Sequence, residues 1–193
     1  MTEDTRAKIQ AVALELFTEH GYENTSLREI AERLGVTKAA LYYHFKSKEE
    51  IVDGFFADQG AAIDTLLAWA ADQPRTMATR QELMRRYADL LHSPRSREVM
   101  RFFERNQAVL RSKPAGEKMR GRLGALVDLI VERDWPLTAQ IRGALAIFAM
   151  HTSLFAIRDP EVGDDERREA ALEVALDLLA QAAGSARKGE RAA

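Results

Sequence analysis

The chain has 193 residues, of which 46% are hydrophobic and 30% charged, with a formal net charge of −2. This composition is ordinary for a soluble globular protein that buries a full core. Cysteine is absent, which excludes disulfides, thiol catalysis and zinc–thiolate sites. The N-terminus lacks a signal-peptide pattern, and no apolar run approaches the roughly 18 residues of a membrane span. We therefore expect a cytoplasmic location and no membrane partner.

The first two predicted helices are bounded by glycines. Apolar residues at helical spacing predict a first helix over residues 3–20, which Gly21 ends. Ser26 and Glu29 have the spacing of a capping box and predict the start of a second helix. Gly35 ends it, because glycine adopts the left-handed conformation at the end of a helix without steric cost.

A third helix follows after only two residues. Thr37 is its predicted N-cap, and Ser47 and Glu50 form a second capping box that opens a fourth helix. Two short helices joined by a tight glycine turn are typical of a helix-turn-helix. In that motif the second helix lies in the DNA major groove. We therefore predict that the helix over residues 38–45 reads DNA.

The rest of the chain is also predicted to be helical, and no segment alternates like a half-buried strand. Further helices are expected over residues 48–72, 76–92, 94–112, 117–133, 136–158 and 166–183, the last ending before Gly184. The fold class is therefore all-α, with about nine helices. We predict a helix-turn-helix domain over residues 1–48, a helical bundle over 49–184 and a disordered tail over 185–193.

The predicted reading helix has a distinct outward side. Leu41 and Phe45 lie one turn apart and must face the small core. The outward residues are Lys38, Ala39, Tyr42 and Tyr43, and His44 beside them offers a further donor. A lysine can donate to guanine and an alanine can contact the thymine methyl, whereas hydroxyl and imidazole groups suit phosphate oxygens. Taken alone, such residues are more often ordinary solvated side chains, and it is their coincidence with the motif that indicates DNA binding.

The charge is unevenly distributed, so a net-acidic chain can still bind DNA. Residues 36–48 carry three lysines and no acidic residue. One of them, Lys48, lies at the start of the fourth helix, where free N–H groups favour an anion. Arg28, in the first turn of the second helix, can reach a base or a phosphate. Residues 75–122 carry 13 Lys and Arg against 5 Asp and Glu, which form either a solvated face or an attraction for an anionic effector.

Residues 9–51 resemble the N-terminal domain of the TetR family of transcriptional repressors. The shared pattern includes Ala13, Leu16, Phe17, Gly21, Tyr22, Thr25, Ser26, Ile30, Ala31, Gly35, Val36, Leu41, Tyr42, His44, Phe45 and Lys48. The resemblance implies a homodimer that binds a palindromic double-stranded DNA operator and releases it when a small-molecule effector enters the C-terminal domain. The motif and the resemblance together predict DNA contacts from Thr25, Ser26, Arg28, Thr37, Lys38, Ala39, Tyr42, Tyr43, His44 and Lys48.

The remaining three-quarters of the chain shows no specific motif. Aromatic and soft side chains with a few polar partners are typical of an effector pocket. The candidates are Phe55, Trp69, Tyr87, His92, Met100, Phe103, Asn106, Gln107, Phe148, His151 and Phe155. Each of these alone is more often a core or surface residue. The histidines lack metal-ligand spacing, so neither a metal nor another cofactor is predicted.

The eighth and ninth helices carry more small and apolar residues than one core needs. The resemblance implies a four-helix dimer interface, with two helices from each subunit. The residues predicted for it are Ala149, Ser153, Leu172, Ala175, Leu176, Leu179 and Ala183. The alternative is that these residues pack within a single chain.

Two other functions compete with that of a repressor. An enzyme is not predicted, because the sequence has no cysteine, no metal-ligand spacing, no G-x-S-x-G motif and no phosphate loop. A regulator that activates transcription, or that reaches DNA mainly through protein partners, is the second alternative. Sequence does not separate an activator from a repressor.

Overall fold

The computed structural model describes residues 2–106, 115–155, 159 and 161–190, with side chains over 5–106, 117–154, 159 and 161–186. Every regular element within these ranges is an α-helix, which confirms the predicted all-α fold. The nine helices are α1 Thr2–Glu19, α2 Leu27–Leu34, α3 Lys38–His44, α4 Lys48–Ala71, α5 Met77–Leu91, α6 Pro94–Arg105, α7 Ala115–Ile130, α8 Leu137–Phe155 and α9 Asp164–Glu190.

The chain divides into two compact units. The first comprises Met1–Gly60 with Glu98–Gly116, and the second comprises Ala61–Arg97 with Glu117–Ala193. Both α4 and α6 therefore contribute residues to both units. This division differs from the boundary predicted at residue 48, because the first turns of α4 belong to the same buried cluster as α1–α3.

Aromatic rings fill the core of the first unit. The Phe17 ring on α1 meets Tyr22, Phe55 on α4 and Phe102 on α6, with ring centroids 5.1, 6.5 and 5.6 Å away. Such pairs stabilise a fold by about 0.5–1.5 kcal/mol each beyond the apolar area they bury. The core thus ties the helix-turn-helix segment to the beginning of α4 and the end of α6.

The second unit is built around α8 and α9. Ala146 and Met150 on α8 and Ala175 and Leu179 on α9 are fully buried in one apolar cluster, together with residues of α5 and α7. Gly143 permits close packing here, since a Cβ at this position would lie 2.5 Å from a side-chain carbon of Val131. The small residues noted in the sequence therefore already have packing partners inside the chain.

The predicted glycine stops are confirmed at Gly21 and Gly35. Their φ angles are +86° and +69°, in the left-handed region that favours glycine. At Gly35 the amide bonds carbonyls in the last turn of α2, which closes that helix.

Two helix ends differ from the sequence prediction. The sixth helix ends at Arg105, and Asn106 follows with its side-chain amide donating to the Phe102 carbonyl at 2.8 Å. Residues 107–112 of that predicted helix lie outside the described residues.

The ninth helix continues through Gly184 to Glu190, so the predicted end at that glycine is wrong. Ala182, Ala183 and Ala186 are buried, and this packing outweighs a helical cost of about 1 kcal/mol for one glycine. Residues 185–190 of the predicted tail are therefore helical, and residues 191–193 are outside the described part.

Among the helices that the structure describes, none is apolar enough over a sufficient length to span a bilayer. The same residues contain no group of three His, Asp or Glu side chains placed to hold a metal ion.

Candidate nucleic-acid interface

The two short helices α2 and α3 begin at the caps that the sequence predicts. The Ser26 hydroxyl accepts a hydrogen bond from the Glu29 amide at 3.2 Å. The Thr37 hydroxyl likewise accepts one from the Ala40 amide at 3.1 Å. With Gly35 between them, these bonds fix where α2 ends and α3 begins. The predicted helix-turn-helix is present.

The carboxylates of the two predicted capping boxes bind other partners than expected. Glu29 lies 2.6 Å from Nδ1 of His20 and so links α2 to the chain just after α1. Ser47 accepts from the Glu50 amide at 3.2 Å, but the Glu50 carboxylate accepts from the Lys46 amide at 2.6 Å. Each box is thus half formed, because a donor nearby in space is available to its glutamate.

The outward side of α3 is the one predicted. Leu41 and Phe45 are fully buried, which confirms that they face the core. Lys38, Ala39 and Tyr43 are exposed, and Tyr42 and His44 are half-buried. Tyr43 is 74% exposed, more than any other large hydrophobic residue in the described part of the chain. Its ring meets the His44 ring edge-on at 5.2 Å, which places two donors side by side at the end of α3.

Lys38 and Lys46 are differently placed. The Lys38 ammonium lies 5.4 Å from the Tyr42 ring centroid, and the described residues give it no hydrogen bond or ion pair. The Lys46 ammonium donates to the Tyr42 carbonyl at 2.7 Å and so closes the last turn of α3. Lys38 is therefore available to a ligand, whereas Lys46 supports the helix.

Lys48 is held by the chain itself. Its ammonium donates to the carbonyls of Tyr22 and Glu23 at 2.6 and 3.2 Å and lies 4.6 Å from the centroid of the Tyr22 ring. These contacts tie the start of α4 to the segment between α1 and α2. A phosphate contact by this ammonium would have to share or replace them.

Among the other predicted DNA contacts, Thr25 differs most from expectation. Its side chain is buried, and its hydroxyl donates to the carbonyls of Leu16 and Gly21 at 3.2 and 2.9 Å. It therefore presents no side-chain surface to a ligand. Arg28 is exposed and pairs with Glu32 at 2.7 Å, so it can exchange this partner for a phosphate. Ser26 and Thr37 are exposed at the N-termini of α2 and α3.

Arg6, which lies beside α3, is not among the residues that the sequence pattern predicts for the site. The Arg6 guanidinium on α1 donates to the His44 carbonyl at 3.1 Å and lies 4.1 Å from the centroid of the Phe45 ring. The two partners are 38 positions apart in the chain, so no local pattern could have revealed the contact.

The second unit contains two polar links to α8, one from Tyr87 on α5 and one from His92, which follows that helix. The Tyr87 hydroxyl lies 2.8 Å from Nε2 of His151, and Nε2 of His92 lies 3.0 Å from the Ser153 hydroxyl. Burial lowers the pKa of His151 to about 4, with a smaller contribution from the nearby His92. Burial likewise lowers the pKa of His92. Both imidazoles are therefore neutral near pH 7.

The residues predicted for an effector pocket fall into several groups. Phe55, Met100 and Phe103 belong to the core of the first unit, whereas Tyr87, His92 and His151 form the polar links of the second. Three more are placed as follows: Trp69 is half-buried with the Arg86 guanidinium 3.9 Å from its ring centroid, Asn106 caps α6, and Phe148 is 52% exposed. Gln107 and the side chain of Phe155 lie outside the described residues. The pocket itself stays a prediction.

An apolar surface runs along α8 and onto α9. Five of its large side chains are between 48% and 70% exposed: Leu137, Ile141, Leu145, Phe148 and Val174. The four on α8 follow helical spacing, so they form one stripe. A half-open groove of about 270 Å³ adjoins the stripe, lined by Ala149, Thr152, Ser153, Val162, Glu166, Arg167, Ala170, Ala171 and Val174.

The residues predicted for a dimer interface divide by burial. Ala149, Leu172 and Leu176 are half-buried and retain some surface. Ser153, Ala175, Leu179 and Ala183 are already buried within the one chain. These four residues are between 0% and 8% exposed in the single chain, so they offer a partner little surface, and the interface itself stays a prediction. The open apolar surface lies instead at Leu137, Ile141, Leu145, Phe148 and Val174.

Known proteins share the helix-turn-helix segment of this chain. Residues 9–54 match the family described as bacterial regulatory proteins, tetR family. The HTH-type transcriptional regulator AcrR of Shigella flexneri is 49% identical over 49 residues, which are 25% of this chain and 23% of that protein. The transposon Tn10 TetC protein of Escherichia coli is 25% identical over 166 residues, covering 81% of this chain and 82% of that protein.

A solved structure shares the overall architecture. The crystal structure of a transcriptional regulator of the TerR/AcrR family from Aquifex aeolicus VF5 has a TM-score of 0.68 and 25% sequence identity. The match covers 88% of this chain and 96% of the Aquifex aeolicus chain. High identity is thus concentrated in the helix-turn-helix segment, while the likeness of fold extends over most of the chain.

Proposed function

We propose that this chain, which belongs to the TetR family of bacterial regulatory proteins, is a sequence-specific DNA-binding transcriptional repressor released from a palindromic operator by a small-molecule effector. A protein that reads chromosomal DNA acts in the cytoplasm.

The observation that carries the proposal is the outward side of α3. This helix begins at a capped N-terminus and presents an exposed lysine, a small residue and an exposed tyrosine, namely Lys38, Ala39 and Tyr43. A recognition helix needs base-reading groups near its N-terminus and phosphate-binding groups along its side. The arrangement of these three residues meets both requirements.

Two reading helices are needed for a palindromic site, and the apolar stripe on α8 supports a homodimer. Exposed side chains such as Leu137 and Phe148 are costly to leave in water, and a second copy of the chain would cover them with the same stripe. A dimer would then present its α3 helices about 34–36 Å apart, which is one turn of DNA.

The second unit is the proposed site of effector binding. Its two polar links, Tyr87–His151 and His92–Ser153, offer neutral hydrogen-bonding groups beside apolar side chains. A small molecule with an apolar body and one or two polar groups suits such surroundings. The chemistry of the second unit thus favours an effector of mixed polarity.

The fourth helix is the proposed route of the signal. It is continuous over 24 residues, and it contributes residues 48–60 to the first unit and 61–71 to the second. An effector that prefers one position of this helix by roughly 1–3 kcal/mol would shift the separation of the two reading helices. DNA-bound and effector-bound structures with equal separations of the two α3 helices would rule out this route.

The experiment that tests the function begins with selection of bound sequences from random DNA. An enriched palindrome then serves as the probe for binding by the wild type and by the double variant Lys38→Ala with Tyr43→Ala. Both side chains are exposed, so the variant should fold normally and yet lose operator affinity by about 100-fold or more. Lys118→Ala, at an exposed position of α7, is the matched control and should bind as the wild type does.

Failure to enrich any sequence, or unchanged operator binding by the double variant, contradicts the proposed function. Repression is separated from activation by a reporter gene behind the selected operator. Expression should rise when the regulator is deleted, and a fall would identify an activator instead.

A further inference from the structure

The C-terminal end of the reading helix is bound by a side chain from the opposite end of the helix-turn-helix unit. One guanidinium nitrogen of Arg6 donates to the His44 carbonyl at 3.1 Å. The same guanidinium lies over the Phe45 ring, 4.1 Å from its centroid. Because Phe45 is fully buried, the ring is a fixed platform, and Arg6 is thereby held between the core and the last residue of α3.

The end of α3 needs such a partner because the helix has only seven residues. The last carbonyls of a helix have no partner within it and carry its partial negative charge. In α3 the Leu41 carbonyl accepts from the Phe45 amide, and the Tyr42 carbonyl accepts from the Lys46 ammonium. The His44 carbonyl accepts from Arg6, which is the link among these that reaches α1.

We propose that Arg6 is a positioning residue for DNA reading: it orients α3 by holding its C-terminal end to α1, and does not itself bind the DNA backbone. The inference rests on the proposed function and adds a specificity-determining residue to it. His44, whose carbonyl Arg6 holds, and Tyr43 beside it lie at the end of the outward side. Loss of the contact lets this end of α3 move, which tilts the helix and so misaligns Lys38 and Ala39 near its start, the side chains suited to the bases.

The test compares Arg6→Gln with the wild type on the selected operator and on unrelated duplex DNA over a series of salt concentrations. Positioning predicts an operator affinity lower by about tenfold, since a charge-assisted hydrogen bond is lost. It also predicts unchanged affinity for unrelated DNA and an unchanged slope of log affinity against log salt. If Arg6 contacted a phosphate directly, its loss would instead make that slope less steep by about 0.9 and weaken the binding of both DNAs alike.

Arg33→Gln is the matched control. Arg33 is exposed on α2 and pairs with Glu15 and Glu19 on α1, so its loss removes the same charge and two surface ion pairs but no contact with α3. Its effect on the ratio of operator to unrelated affinity should be small. An equal fall in that ratio for both variants overturns the inference, because the effect would then be one of charge.

Arg6→Lys provides the conservative variant and the safeguard against misfolding. A lysine keeps the charge, but its ammonium has no planar face that can stack on the Phe45 ring while it donates to the His44 carbonyl. We expect operator affinity between those of the wild type and Arg6→Gln, again without a change of salt slope. Wild-type affinity of Arg6→Gln, or a reduced slope for it, contradicts the role. If Arg6→Gln does not fold, the role is contradicted when Arg6→Lys keeps the wild-type ratio of operator affinity to affinity for unrelated DNA. A wild-type chain that selects no operator would instead refute the proposed function itself.

Discussion

The Tyr87 hydroxyl oxygen lies 2.8 Å from Nε2 of His151 and joins α5 to α8 at the edge of the apolar cluster to which Tyr87 belongs. Burial raises the pKa of Tyr87 and lowers that of His151, so a neutral phenol meets a neutral imidazole. A neutral pair avoids the cost of a buried charge while still satisfying both polar groups.

This pair makes acid sensitivity the first prediction. The pKa of His151 falls from 6.5 to about 4 on folding, so the unfolded chain binds the proton more readily. The free energy of unfolding is therefore unaffected by His151 protonation above pH 6.5 and decreases as the pH falls from 6.5 toward 4. His151→Gln should remove up to about 2–3 kcal/mol of that dependence. Urea unfolding at several pH values between 7.5 and 4.5 measures it. His20→Gln, at an exposed histidine, is the control, and an unaltered pH dependence in His151→Gln would refute the prediction.

Two glycines are predicted to respond oppositely to alanine. Gly35 has φ +69°, and apart from its chain neighbours none of the described residues comes within 4 Å of the place a Cβ would take. Gly35→Ala should therefore destabilise the fold by about 1–2 kcal/mol through backbone strain alone. Gly184 lies inside α9, also with open space around it, and Gly184→Ala should stabilise by about 0.5–1 kcal/mol. Thermal unfolding of both variants gives the two signs. Destabilisation by Gly184→Ala would show that α9 does not continue through residue 184.

Two substitutions on the reading helix are predicted to have different effects, one on the choice of sequence and the other on affinity for every sequence. Lys38→Ala should relax selection at one base position of each half-site by about 1–3 kcal/mol, because an exposed lysine near the start of α3 is suited to guanine. Tyr43→Phe removes only an exposed hydroxyl and should weaken all sequences equally if that group binds a phosphate. Binding to a library of operator variants measures both effects. Equal weakening of all sequences by Lys38→Ala would place this lysine on the backbone instead.

The apolar stripe on α8 is predicted to hold a dimer together. Leu145→Glu places a charge in the middle of the stripe, where its desolvation on association would be costly. Light scattering after size exclusion should show a shift from dimer to monomer, with loss of operator binding. Ala68→Glu adds the same charge at an exposed position of α4 and should leave the dimer intact. A dimer that survives Leu145→Glu would show that another surface forms the interface.

The interactions that the sequence revealed are those between near neighbours in the chain. Ser26, Thr37 and the two glycine stops act on atoms a few residues away, and their residue types suffice to predict them. The burial of Leu41 and Phe45 followed from helical spacing for the same reason. This local information determined the helix-turn-helix and its outward side.

The contacts between segments far apart in the chain were decided only by the tertiary structure. The buried Thr25 hydroxyl donates to the Leu16 carbonyl on α1, and the Lys48 ammonium donates to the Tyr22 carbonyl in the segment that follows α1. Leu179 is buried in the apolar cluster of the second unit and the Ser153 hydroxyl meets His92, so two residues chosen by type for a dimer interface already have partners within the chain. Arg6 reaches His44 across 38 positions. A sequence specifies which groups need partners, but which partner each obtains depends on the distances that folding creates.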